Sequence, residues 1–311
     1  MLRDKRVRIA LQIAFAAVVV WYFGRQVAYQ WGELSAMRES LHPDWGLVAE
    51  SGLVVLASYA ALIETWRRTV IAWGERLSAT DAARIWFISN LGRYVPGKVW
   101  QIGAMGVLAQ EAGVSGVAAV GSSLVVNLVN LLAAALVVLL SGAKQLAPDA
   151  LLPGFLLFAM FAIATPWALP PLVRLARRLT GREIAEPKVP ARAILTALVG
   201  CTFAWALYGI AFRLLAIALF GHASGTAASY IAVFTLSYLI GYLFLISPGG
   251  LGAREVALAS MLPAAGLEGG ATATLLVVAS RLWLTVLEAT PGLLLLAIRH
   301  APSDSRPPNV T

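Results

Sequence analysis

Two short stretches of this chain concentrate groups that could bind a charged ligand. The first is GRYVPGKVWQIG, residues 92–103, where Arg93 and Lys98 bracket the helix-breaking pair Pro96-Gly97. The second is SPGGLGARE, residues 247–255, where Pro248-Gly249-Gly250 and Gly252 precede Arg254 and Glu255. Proline cannot donate a backbone hydrogen bond and disfavours helix at the residue before it, while glycine admits dihedrals closed to other residues. A helix that restarts after such a break turns unpaired N–H groups and a positive dipole end toward whatever lies in front of it. With Arg93, Lys98 and Arg254 beside those ends, the chemistry expected is anion binding, a phosphate above all. Tyr94 and Trp100 accompany the first break, and Ser247 and Tyr242 the second, as neighbours that line the same place. Glu255 reads equally well as a ligand-side acid or as a helix cap.

Two further charges fall inside the last apolar run. Arg281 and Glu288 are seven residues apart, hence on one helical face, and charges this deep in a membrane helix usually face a cavity or each other. Tyr238 and Tyr242 lie one helical turn apart and are expected at the same hollow. Asn127 and Asn130 read as interhelical hydrogen-bond partners. Glu64, Arg67 and Arg68 read as anchors at a span's end, and Arg213 as a side chain that reaches out to the interface.

The elements that must carry these groups are membrane helices. Of the 311 residues, 59% are hydrophobic and 13% charged, with a mean hydropathy of +0.77, too little polar surface to cover a soluble fold. The net charge of +8 is distributed as a topology signal rather than a polyanion-binding patch, so no nucleic-acid partner is expected. Segments 1–8, 67–84 and 174–192 carry excess cations (+3, +2 and +4), whereas 31–44 carries −2 and 141–150 and 221–226 are neutral. Apolar runs long enough to cross, roughly 20 residues, are expected near 9–28, 46–65, 116–140, 151–173, 193–220, 227–246 and 272–298. Trp21, Tyr22, Trp45, Trp73, Trp167 and Tyr230 lie near their ends, as interfacial aromatics do.

The expected fold is therefore all-α: a polytopic membrane protein of about seven or eight spans plus two broken or re-entrant segments. A single domain is expected, with a first half over about 9–140 (break at 94–98), a second over about 193–298 (break at 247–252), a basic cytoplasmic loop at 174–192 and a disordered tail at 300–311. The N-terminus is expected in the cytoplasm, and the side of the C-terminus stays open. The two broken segments resemble each other: each runs from Pro-Gly through a cation and about a dozen helical residues to Ala-Gly. Such paired interruptions are the sequence sign of a transporter's substrate site between repeats. Inverted and parallel repeats both stay open; four full spans between the breaks favour parallel if both breaks start on the cytoplasmic side. Three scattered histidines and the lone Cys201 give no basis for a metal site, a disulfide or a cofactor, and no nucleophile–base set indicates an enzyme.

On LGRYVPGKVWQIG and SPGGLGARE the chain resembles the lysylphosphatidylglycerol-synthase transmembrane-region family, which includes the flippase half of the bacterial multiple-peptide-resistance factor. The resemblance runs from about residue 10 to 298. It implies a multi-pass protein of the bacterial inner membrane that handles lipids. It also marks Arg93, Pro96, Gly97, Lys98, Pro248, Gly249, Gly250, Gly252, Arg254, Glu255 and Arg281 as residues to watch. The soluble aminoacyl-transferase domain of the full factor has no counterpart in these 311 residues, so aminoacyl transfer is not expected. The function expected is translocation of an anionic lipid or lipid-linked intermediate between leaflets. The alternative is a non-transporting partner that scaffolds or presents lipid to a separate synthase or glycosyltransferase. Both an associated lipid- or glycan-synthesising enzyme and a homo-oligomer fit the resemblance.

Overall fold

The computed structural model describes residues 42–92, 99–141, 191–244 and 252–297, together with isolated positions 153, 156, 159, 160, 164 and 171. The expected spans at 9–28 and 151–173, the basic loop at 174–192 up to residue 190, and the tail lie outside the described residues. Eight helices are bounded within them: α1 Trp45–Ala72, α2 Ala79–Leu91, α3 Val99–Glu111, α4 Gly116–Leu140, α5 Ala191–Phe220, α6 Ala227–Leu243, α7 Ala253–Ala264 and α8 Gly270–Ala297. No strand occurs among the described residues.

Local chemistry sets the helix starts. Asp44, Ser78, Ser115 and Thr226 are N-caps whose side chains accept backbone N–H groups of α1, α2, α4 and α6. Four helices, α1, α4, α5 and α8, are long and apolar enough to cross a membrane. Expected and observed bounds agree closely for α4 and α5. The run at 227–246 differs: α6 has only 17 residues, about 25 Å at 1.5 Å per residue. Phe244 breaks off the helical backbone three residues before the expected end, so the second interruption joins two short helices, as the first does.

The frame is the α1–α5 pair, the most extensive helix contact. Asp44 N–H donates to Ala218 O at 2.9 Å, Ser51 Oγ to Ala211 O at 2.7 Å and Ser58 Oγ to Ala204 O at 3.0 Å. These pairs are about seven residues apart in both helices and run in opposite order, so α1 and α5 are antiparallel. Serine and glycine at the contact, with Gly200 against Thr65, let the backbones approach where no hydrophobic force separates protein from lipid.

Each short pair hangs from one end of this frame. Arg67 donates to Leu77 O beside the start of α2, and Ser115 N–H donates to Glu75 at the end of α3, so α2 and α3 enter where α1 finishes. Tyr230 at the start of α6 packs on Phe212, and its hydroxyl donates to Glu268 beyond α7 at 2.8 Å. The α6–α7 pair therefore enters where α1 begins. The two pairs come in from opposite ends of the frame, an inverted relation where the sequence left parallel and inverted both open. Tyr230, expected at an interface, is fully buried with Glu268 as its partner. Trp73 likewise packs across Gly121.

Candidate functional site

The described end of the second motif depends on a glycine conformation. Gly252 has φ +88°, a conformation that L side chains rarely adopt, and its N–H donates to Glu255 Oε2 at 2.7 Å. Glu255 is thus the cap of α7. Its other oxygen lies 3.3 Å from an Arg281 guanidinium nitrogen, an ion pair without hydrogen-bond alignment that ties α7 to α8. Arg281 therefore pairs across to Glu255, not along its own helix to Glu288. Replacing Glu255 by Ala removes the cap and strands Arg281, and is expected to cost about 2–4 kcal/mol. Glu255→Gln, which keeps an acceptor for Gly252, should cost clearly less, read as thermal unfolding of the detergent-solubilised protein.

Arg254 has a different situation. It is 2% exposed, and none of its three guanidinium nitrogens has a hydrogen-bond partner. Its charge centre sits 4.0 Å from the ring centroid of Tyr238 and 5.2 Å from that of Phe234, two cation–π contacts from α6. Gly241 makes this possible, since a Cβ there would fall 2.7 Å from Arg254 Cβ. A cation in the first turn of a helix also stands at the wrong end of the dipole.

Tyr238 links Arg254 to a cavity of about 160 Å³ at the centre of the bundle. Asn90 and Gln101 reach it from the inner ends of α2 and α3, joined by a bond from Gln101 Nε2 to Asn90 Oδ1. Tyr238 and Tyr242 reach it from α6, and Glu288 from α8. Trp66, Trp86, Trp205 and Tyr208 form an aromatic wall, with Tyr59 packed behind Trp86 and Tyr208 at 5.2 and 5.8 Å between centroids. Asn127 and Asn130 of α4 complete it; Trp205 Nε1 donates to the Asn130 carbonyl at 3.2 Å. Groups flanking both sequence interruptions thus converge on one hollow. Among its described lining residues, however, the single charged group is a carboxylate, Glu288, where the sequence led us to expect cations.

Of the expected site residues, Tyr242, Gly252, Arg254, Glu255, Arg281 and Glu288 are described and lie in or beside this region. Arg93, Tyr94, Pro96, Gly97, Lys98, Ser247, Pro248, Gly249 and Gly250 fall outside the described residues, as does the Trp100 side chain. Glu64 binds Arg67 and Arg68, both at 2.7 Å, consistent with an anchor cluster. Sequence reasoning passed over Asn90 and Gln101. Their signal was placement: two carboxamides eleven residues apart, one on each side of Pro96-Gly97. Trp66, Trp86, Trp205 and Tyr208 carried no signal apart from core aromatics.

Apolar helices of membrane-crossing length around a buried polar hollow define a multi-pass membrane protein. The chain matches the family described as the lysylphosphatidylglycerol synthase TM region over residues 9–289, and it belongs to that family. That membership links it to lipid metabolism. No curated protein and no solved structure was found to match the chain.

Proposed function

We propose that the protein is a non-enzymatic carrier that moves lipids with an anionic headgroup between the leaflets of the bacterial inner membrane. The observation that supports it most directly is Arg254, a buried cation with no hydrogen-bond partner at the start of a helix. Both its burial and its place on the dipole are unfavourable until an anion arrives. A lipid phosphate is the anion that a membrane supplies.

The inverted pairs α2–α3 and α6–α7 act as re-entrant hairpins. The 13 residues of α2 or α3 rise about 20 Å, less than the roughly 30 Å hydrocarbon core. Entering from opposite faces, their flanks reach one hollow, with Asn90 and Gln101 from one pair and Tyr238 and Tyr242 from the other. Two such halves rocking against each other open the hollow to one leaflet and then the other. The end that carries Arg67, Arg68, Arg76, Arg84 and Arg192 is cytoplasmic by the positive-inside rule. Net movement draws on a gradient, the membrane potential or consumption of lipid on the far side.

Purified protein in vesicles that contain fluorescent phosphatidylglycerol tests this. Wild type is expected to expose inner-leaflet probe to a membrane-impermeant quencher. Arg254→Gln is expected to slow this at least about tenfold, the loss of one charge-assisted contact. Vesicles in which no anionic lipid moves would instead leave a scaffold that presents lipid to a separate enzyme.

A further inference from the structure

We infer that a second lipid site lies at the basic end of the frame, where a pocket between the end of α1 and the start of α5 holds the phosphate of an anionic phospholipid through Arg68 and Arg192. This pocket shares no lining residue with the central hollow, and the site stands whether or not the protein moves lipid.

The close approach of α1 and α5 at Thr65 and Gly200 gives way, one turn further on, to a cavity of about 230 Å³. Arg68 and Arg192 line it, and both are exposed. Arg68 gives its Nε–H to Glu64 Oε1 at 2.7 Å, which leaves its two terminal nitrogens to spare. The Arg192 side chain makes no ion pair or hydrogen bond among the described residues. It stands in the first turn of α5, where the helix dipole favours an anion and penalises a cation. Glu64 is already shared by Arg67 and Arg68, so with Arg192 the cluster holds three cations against one carboxylate. Thr69 and Thr196 also line the pocket, but their hydroxyl protons are spent on the carbonyls of Thr65 and Arg192. The guanidinium forks are therefore the donors on offer, and the paired oxygens of a phosphate match them.

The occupant is a lipid rather than free phosphate because the pocket continues onto exposed apolar surface. Ile71, 42% exposed, and Ala72 line its α1 side and Ala193 its α5 side. Beyond Arg192, Leu195, Val199 and Phe203 follow at helical spacing, all exposed, and give acyl chains a track along α5. Cations at the basic end of two crossing helices, with apolar surface leading away from them, suit an anionic headgroup held at the cytoplasmic face. The hydrogen bonds between α1 and α5 at Asp44, Ser51 and Ser58 all lie toward the other end of the pair. A phosphate shared by Arg68 and Arg192 supplies a tie at this end.

Thermal unfolding of the full chain in a neutral maltoside detergent tests the site, with phosphatidylglycerol, phosphatidylcholine or inorganic phosphate added in turn. Each titration is repeated in Arg254→Gln, which keeps the region of the central hollow out of the reading. Phosphatidylglycerol is expected to raise the melting temperature in both proteins, at about tenfold lower concentration than phosphatidylcholine. Arg68→Gln and Arg192→Gln change exposed side chains and leave the core intact. Each should shift the phosphatidylglycerol response to about tenfold higher lipid, the loss of one charge-assisted contact, and the double variant should lose it. Arg76→Gln, exposed at the same end but outside the pocket, should respond as wild type does. Equal shifts with phosphatidylcholine or with inorganic phosphate overturn the anionic-lipid site, as does a full response in the double variant. An equal loss in Arg76→Gln also overturns it, since surface charge alone would then explain the binding. A response lost only in Arg254→Gln removes this site and leaves the carrier. A response that survives Arg254→Gln, in a protein that moves no lipid in vesicles, removes the carrier and leaves the site.

Discussion

Arg254→Met is expected to give a protein that melts higher than wild type and moves no anionic lipid. The two effects have one cause. Burial strips water from a guanidinium at a cost of several kcal/mol, and no hydrogen bond to the protein offsets it. The contacts with Tyr238 and Phe234 return about 2 kcal/mol when desolvated, and methionine keeps part of that through sulfur–aromatic packing. Removing the charge also relieves its repulsion with the α7 dipole. A net gain of about 1–3 kcal/mol follows, a rise of roughly 2–4 °C per kcal/mol in a chain of this size. Differential scanning fluorimetry in detergent reads the first effect and the vesicle assay the second. A variant that melts lower, or that still carries lipid, would show that Arg254 is a structural prop. Stability sacrificed at a functional position is a general pattern, and Arg254 is the described residue where it is plainest here.

The largest loss of stability is expected at Gly209, which follows Tyr208 of the cavity wall. A Cβ at that position would overlap the Cα of Ile231 on α6, so backbone rather than a mobile side chain stands in the way. Gly209→Val forces α5 and α6 apart and disturbs the Tyr208–Phe234 and Phe212–Phe234 contacts on either side. Overpacking against backbone, which no rotamer can relieve, falls at the upper end of the usual range, about 3 kcal/mol, a large share of the stability of a marginally stable chain. Size-exclusion of the detergent extract should show aggregate in place of the monodisperse wild-type peak. Gly103→Ala in α3 is the control. No atom lies within 4 Å of its Cβ position, and alanine gains up to about 1 kcal/mol of helix propensity. Equal behaviour of the two variants would mean that the α5–α6 approach is looser than described.

The same contrast separates what was legible in the sequence from what was not. Helices α4 and α5 could be read off their apolar runs, because length against bilayer thickness is a one-dimensional test. Helix α6 was read too long: residues 244–246 are as apolar as those before them, and only the pairing with α7 decides where the turn falls. Gly252, Arg254 and Glu255 stood out as a group, yet their separate jobs did not. Glu255 caps and binds Arg281, while Arg254 binds no protein acceptor, a division set by side-chain geometry across three helices. Asn90 and Gln101 were passed over because a carboxamide in an apolar helix has the same look whether it meets a neighbour or a cavity.

Composition and charge alternation determined by themselves that this is a multi-pass helical membrane protein. Each of those is a property of local sequence, since hydrophobic length and loop charge need no distant partner. Tertiary structure alone decided that the interrupted pairs enter from opposite ends. It also decided that their flanks share one hollow, and that its described lining is aromatic and amide rather than cationic. Those facts depend on how α1 and α5 lie antiparallel and where α2 and α6 hang from them. Contacts between residues more than a hundred positions apart fix that, as between Ser51 and Ala211.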